Sequence, residues 1–229
     1  MRDAPQALML FAAGFGTRMG ALTQAQPKPM IEVAGRPLID HALELAAPLR
    51  LPRVVANLHY RPETLAAHLS PKGVALSVEA PDILETGGGL RHALPLLGAG
   101  PVFTLNTDAV WHGENPMQSL LEAWDPARMD ALLMCIPKAQ AMGHKGQGDF
   151  ILAPDGRAAR GAGLIYGGAQ IIKTDLLAEV PETAFSLNVL WDRMLRDGRL
   201  FGMAYGGRWC DVGHPQGIKD AEAMIGYRA

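Results

Sequence analysis

Arg18 and Lys28 are the residues whose types and surroundings first point to chemistry. Arg18 belongs to the run Ala13-Gly14-Phe15-Gly16-Thr17-Arg18-Met19, and Lys28 stands between Pro27 and Pro29. Two glycines spaced by one residue permit positive φ and remove side chains, so backbone N–H groups can close on an anion. A guanidinium carries a permanent charge in a fork that suits phosphate oxygens. Lys28 adds a second cation on a backbone stiffened by proline. Together they describe a nucleotide-phosphate site, with Ala13, Gly14, Gly16 and Thr17 as its loop. Alone, the Gly-x-Gly would be read as a turn. The dinucleotide fingerprint is not met, because Gly20 comes one residue late, and the Walker lysine is absent.

Other residues could complete such a site. Asp108 ends the apolar run that begins at Pro101. Mg²⁺ takes oxygen ligands, commonly one or two carboxylates plus substrate phosphates, so Asp108 is a candidate ligand. A plain turn or cap is the alternative. Glu85-Thr86-Gly87-Gly88-Gly89 places three glycines at an expected helix start, where each loses backbone entropy on folding. A flat ligand against bare backbone explains the three together; a tight strand-to-helix turn is the alternative. Asn57 ends a strand and offers both a donor and an acceptor.

The elements that must position these residues alternate between two periods. Leu8 to Phe11 has the length and composition of a buried strand. Pro37 to Leu45 carries helical spacing, with Pro48 and Pro52 marking its end. Val54 to Leu58 reads as a strand, Pro62 to Leu69 as a helix, and Val74 to Val78 as a strand with an exposed face. Ala131 to Ile136 and Tyr166 to Ile172 are further strands; helices are expected from Phe185 and over Gln216 to Ile225. The alternation predicts an α/β fold on a mixed, mostly parallel sheet, with ligands beyond the carboxyl ends of the strands. The glycine loop after Phe11 lies at such an end.

The 229 residues are expected to form one domain over 1–229, with 48% hydrophobic and 19% charged residues. A net charge of -2 gives no reason to expect nucleic acid or a membrane as partner. Cys135 and Cys210 lack metal spacing, and no signal core or membrane-length apolar run occurs. The expectation is a cytoplasmic protein, monomeric or a small homo-oligomer.

The chain resembles the sugar-phosphate nucleotidyltransferases. The resemblance rests on Ala13 to Met19 after a strand, Pro27-Lys28-Pro29-Met30, the strand ending at Asp108, and Arg208-Trp209-Cys210-Asp211-Val212-Gly213-His214-Pro215. It implies a Rossmann-like nucleotidyltransferase fold and the reaction of an NTP with a sugar 1-phosphate, giving NDP-sugar and pyrophosphate. It also implies Mg²⁺ on Asp108 and Asp211, with Arg18 and Lys28 as catalytic cations. The base would lie against Glu85, Thr86, Gly87 and Gly88, with Asn57 as a further contact. Asn106, Gly148, Asp149, Gly168 and Lys145 fall on the sugar side.

Among subfamilies the short N-acetylmuramate-1-phosphate uridylyltransferases are most similar. The Gly146-Gln147-Gly148-Asp149-Phe150 loop resembles theirs, and the Glu-Lys-Pro segment of many members is missing, with Ala158 to Gly163 instead. Lys145 and Arg160 are then candidates for the sugar phosphate, and His144, Lys145 and Arg160 for the extra carboxylate of N-acetylmuramate. The resemblance therefore implies UTP and N-acetylmuramate 1-phosphate as substrates. Alternatives are a mannose-1-phosphate guanylyltransferase, a cytidylyltransferase acting on an alcohol phosphate such as phosphocholine, and a binding protein without turnover.

Overall fold

In β1 (Ala7–Phe11), Leu8 and Leu10 pack into one core while Ala7 and Met9 pack into another. That is the two-residue alternation of a strand buried on both faces. The computed structural model, which describes residues 4–227, builds a seven-stranded sheet around it. A hairpin of β2 (Glu32–Val33) and β3 (Arg36–Pro37) leads to α1 (Leu38–Ala46), β4 (Arg53–Leu58) and α2 (Pro62–Leu69). Next come β5 (Ala75–Val78), α3 (Glu85–Leu97), β6 (Val102–Asn106), β7 (Ala109–His112) and α4 (Pro116–Ala123). They are followed by β8 (Ala131–Ile136), β9 (Ala141–Met142), β10 (Phe150–Leu152), β11 (Ala158–Arg160) and β12 (Ile165–Ile172). Finally come α5 (Asn188–Arg196), β13 (Leu200–Ala204), β14 (Arg208–Asp211) and α6 (Pro215–Ile225).

The sheet order is β13-β8-β12-β6-β1-β4-β5. β12 runs antiparallel to both β8 and β6, and every other neighbouring pair is parallel. This is the mixed, mostly parallel α/β sheet expected. Helices cover both faces: Ile39, Leu65, Leu69 and Leu120 pack on the side of Leu8, and Leu90, Leu97, Leu190 and Met194 on the side of Met9. No helix among the described residues is long and apolar enough to cross a membrane.

A smaller sheet does the positioning work. β14 pairs antiparallel with β7 and parallel with β9, and α6 packs on them through Val110, Cys210, Val212, Ala221 and Met224. Asp211 lies opposite Ala109 in that register, which brings the end of the chain back beside Asp108. Strands of two to four residues carry too little periodicity to read from sequence, so this sheet and the β10–β11 hairpin are new here.

α3 begins at Glu85, which puts the glycine triplet at the expected helix start. α5 begins at Asn188, three residues later than Phe185.

Candidate active site

The chain leaves β1 into the glycine loop beyond the carboxyl edge of the sheet. Asn57, at the matching position of β4, accepts the Ala12 N–H at 2.7 Å, and the Thr107 hydroxyl donates to the Phe11 carbonyl at 2.8 Å. Gly16 needs its lack of a side chain on two counts. Its φ is +63°, and a Cβ there would stand 2.8 Å from that of Lys28. The loop therefore closes onto Lys28, which a short turn, Lys28–Met30, presents with only 8% of the residue exposed. Lys28 Nζ pairs with Asp108 Oδ2 at 2.7 Å. Ala13, Gly14, Lys28, Asn57, Glu85, Thr86, Asn106 and Asp108 line one cavity of about 200 Å³.

Asp211 joins them from the small sheet. The Val212 N–H donates to the Asp108 carbonyl at 2.9 Å, which ties the two aspartate turns together. The Gly213 turn opens a gap in which a Cβ would lie 3.0 Å from both Asp211 carboxylate oxygens and 3.1 Å from Arg18 Nη1. Arg18 and Asp211 are thus neighbours without a direct ion pair. Burial pushes the Asp211 carboxyl above the usual carboxylate range, and the charge of Asp108 adds to this. Lys28, Arg18 and His144 pull it back down. A half-buried carboxylate facing a second one, and accepting no hydrogen bond among the described residues, has the chemistry of a cation ligand. Only two such carboxylates meet here, which suits a metal that takes its other oxygens from phosphates.

Several expected contacts have other partners. A Cβ on Gly87 would strike the edge of the Phe185 ring, one on Gly88 would strike the Thr183 carbonyl, and one on Gly89 would reach Glu79. The Gly87 and Gly88 N–H groups both donate to the Phe185 carbonyl. Close packing accounts for all three glycines, and Gly87 and Gly88 stand behind the cavity that Glu85 and Thr86 line. Asn57 is likewise engaged within the protein. Its Nδ2 donates to Glu79 Oε1 at 2.6 Å, and Glu79 Oε2 accepts the Leu84 N–H at 2.7 Å. Glu79, 2% exposed, was missed in the sequence. It completes a chain of hydrogen bonds from the glycine loop to the segment before α3, and no local pattern marks it.

The expected sugar residues divide between two places. Asp149 and Asn106 line a second cavity of about 280 Å³, together with Phe11, Thr86, Phe150, Arg160, Tyr166, Asn188 and Trp191. Phe11, Thr86 and Asn106 line the first cavity too, so the two adjoin. Gly168 is buried beneath Asn106, and Gly148 packs on the Gly163 backbone; both make room and neither lines the cavity. Lys145 and His144 lie elsewhere, with Gly143, His214, Gln216 and Asp220. The reason is the pairing of β9 with β14 and the contact of Gly143 with the Asp211 backbone, which draw that end of the loop toward α6. Trp191 is buried and also forms a wall of the second cavity.

Neither cysteine offers a nucleophile. Burial pushes both thiols up to about 12, with smaller help from Asp149 at Cys135 and from Asp220 and Asp211 at Cys210.

The glycine loop, two cations and two converging carboxylates gather at one end of the sheet, and residues 8–180 match the MobA-like NTP transferase domain. The chain belongs to that family. This NTP transferase is 42% identical to the N-acetylmuramate alpha-1-phosphate uridylyltransferase of Caulobacter vibrioides, over 98% of its own length and 99% of the relative's. It is 33% identical to the protein of the same name from Neisseria meningitidis serogroup B, with 95% and 97% covered. In three dimensions it resembles HddC from Yersinia pseudotuberculosis, with a TM-score of 0.74 at 19% identity, covering 94% of this transferase and 97% of that chain. At that identity the likeness speaks for the fold alone.

Proposed function

We infer that the chain transfers a uridylyl group from UTP to N-acetylmuramate 1-phosphate and releases pyrophosphate. The observation that carries the transfer is the meeting of Asp108, Asp211, Lys28 and Arg18 at the mouth of the glycine loop. A sugar phosphate is already an anionic nucleophile. Its oxygen attacks the α-phosphorus, a new P–O bond forms, and the bond to the β-phosphate oxygen breaks with its electron pair leaving on pyrophosphate. The barrier lies in bringing polyanions together, so the protein contributes position and positive charge. Lys28 is assigned to the α-phosphate, and Arg18 with the Gly14 to Thr17 backbone to the leaving pyrophosphate.

Asp108 and Asp211 would hold Mg²⁺, which when bound supplies charge neutralisation between the reacting phosphates. The choice of base and sugar is supported by the names of the two relatives and by the adjoining second cavity.

The test is pyrophosphate release from each NTP with Mg²⁺, paired with N-acetylmuramate 1-phosphate, N-acetylglucosamine 1-phosphate, mannose 1-phosphate or phosphocholine. The expected result is the highest kcat/KM for UTP with N-acetylmuramate 1-phosphate. A preference for GTP with mannose 1-phosphate, or for CTP with phosphocholine, would replace this substrate assignment.

A further inference from the structure

Among the described residues Arg160 is the one cation lining the second cavity, and its partly exposed guanidinium is bonded to α5. Nε and Nη2 both donate to Asp192 Oδ1, at 3.3 and 2.8 Å, and Nη2 also donates to Asn188 Oδ1 at 2.7 Å. The guanidinium carbon lies 4.9 Å from the Phe150 ring centroid and 5.8 Å from that of Trp191. A guanidinium has five N–H donors, and those bonds engage three of them. Both hydrogens of Nη1 remain without a partner among the described residues. The other charged group lining this cavity, Asp149, accepts the Tyr166 N–H at 2.8 Å, so its carboxylate is engaged by the protein's own backbone.

An open guanidinium end in this cavity suits an anionic group on the sugar. We propose that Arg160 is the specificity residue for the acidic arm of the sugar, its Nη1 end receiving the carboxylate that distinguishes N-acetylmuramate from N-acetylglucosamine. The proposal rests on the substrate reading above and deepens it. It also separates the three cations of this part of the sequence, because His144 and Lys145 line a different cavity with no residue in common with this one. The tether to β10 and α5 assists the charge, which carries most of the preference. Asn188, Asp192, Phe150 and Trp191 orient the fork before the ligand arrives, so less freedom is lost on binding. A site that relies on pairing a charge discriminates strongly against the analogue that lacks it.

The experiment measures kcat/KM for N-acetylmuramate 1-phosphate and N-acetylglucosamine 1-phosphate, each with UTP, in wild type, Arg160→Gln, Arg160→Lys and Asp192→Asn, with melting temperatures alongside. Arg160→Gln is expected to lower kcat/KM for the acidic sugar about thirtyfold and for the neutral sugar by less than about threefold, with KM for UTP unchanged. Arg160→Lys should restore part of the preference. Asp192→Asn, which loosens the strand–helix tie and keeps the cation, should retain most of it. An equal fall for both sugars in Arg160→Gln would overturn the proposal, since the residue would then serve the shared phosphate or the fold. An unchanged sugar ratio in Arg160→Gln would overturn it as well. A wild type that ignores N-acetylmuramate 1-phosphate is a separate outcome: it removes the substrate reading and this proposal together.

Discussion

Two clusters of aspartate, lysine and arginine stand at opposite ends of the sheet, and they are built on opposite principles. At the end away from the cavities, Asp130 pairs with Lys173 at 2.9 Å through one oxygen and with Arg199 at 2.8 Å through the other. Lys173 also donates to the Pro126 carbonyl, and Arg199 to that of Ala127. The three residues flank β8, β12 and β13, so the cluster staples three strands side by side. At the cavity end, two aspartates and two cations share one ion pair, Lys28 with Asp108. Burial pushes both Asp130 and Asp211 upward. At Asp130 the hydrogen bonds and charges of Arg199 and Lys173 more than reverse this, whereas at Asp211 the charge of Asp108 adds to it. The same residue types hold a fold together when every charge is matched, and wait for a ligand when one is not.

The contrast has its sharpest expression at Asp211. Asp211→Asn should lower kcat by about a hundred- to a thousandfold, the scale of losing one charge-stabilising group. Its melting temperature should stay level or rise, because a half-buried carboxylate loses its repulsion from Asp108. A variant that melts earlier and keeps its turnover would place Asp211 with Asp130 as a structural residue. Steady-state pyrophosphate release and thermal denaturation decide it.

Asp130→Asn should behave in the opposite way. Turnover stays within about twofold, and stability falls by about 1–2 kcal/mol as two half-buried cations lose their partner. A loss of activity at unchanged melting temperature would break the division between the two ends.

The smallest effect is a pH dependence. Asp130 has a folded pKa below its unfolded value of about 4, so it contributes stability above that pH. The contribution is lost as pH falls through the lower, folded value. The melting-temperature gap between wild type and Asp130→Asn should therefore be full at pH 6 and narrow in acid. A gap that holds constant down to pH 3 would show that the pairing does not depend on the charge.

How much of this could be read in advance depended on how local each feature is. The strand before the glycine loop, the helices over 62–69 and 216–225, and the sheet class follow from hydrophobic period and proline or glycine punctuation, which neighbouring residues carry among themselves. Gly14, Gly16, Arg18 and Lys28 share one stretch, and their types alone describe an anion site. Gly87 to Gly89 looked the same by type, and only the three-dimensional neighbours Phe185, Thr183 and Glu79 show that packing claims them. Lys145 and Asp149 are four residues apart, yet pairing at the two ends of their loop carries them to different cavities. Arg160 was visible as a cation; its selection over His144 and Lys145 needed the α5 residues that hold it.

The buried run from Ala12 through Asn57 and Glu79 to Leu84 has a consequence for anyone who would re-engineer the base preference. The strand ends assigned to phosphate and the turn assigned to the base are mechanically one piece, since Asn57 and Glu79 each bond in both directions. A base-recognition turn grafted from a guanylyl or cytidylyl enzyme over residues 80–86 would arrive without its anchor and disturb the grip on triphosphate as well. Transplants that carry positions 57 and 79 along with the turn should keep triphosphate affinity, and those that leave either behind should trade one recognition for the other.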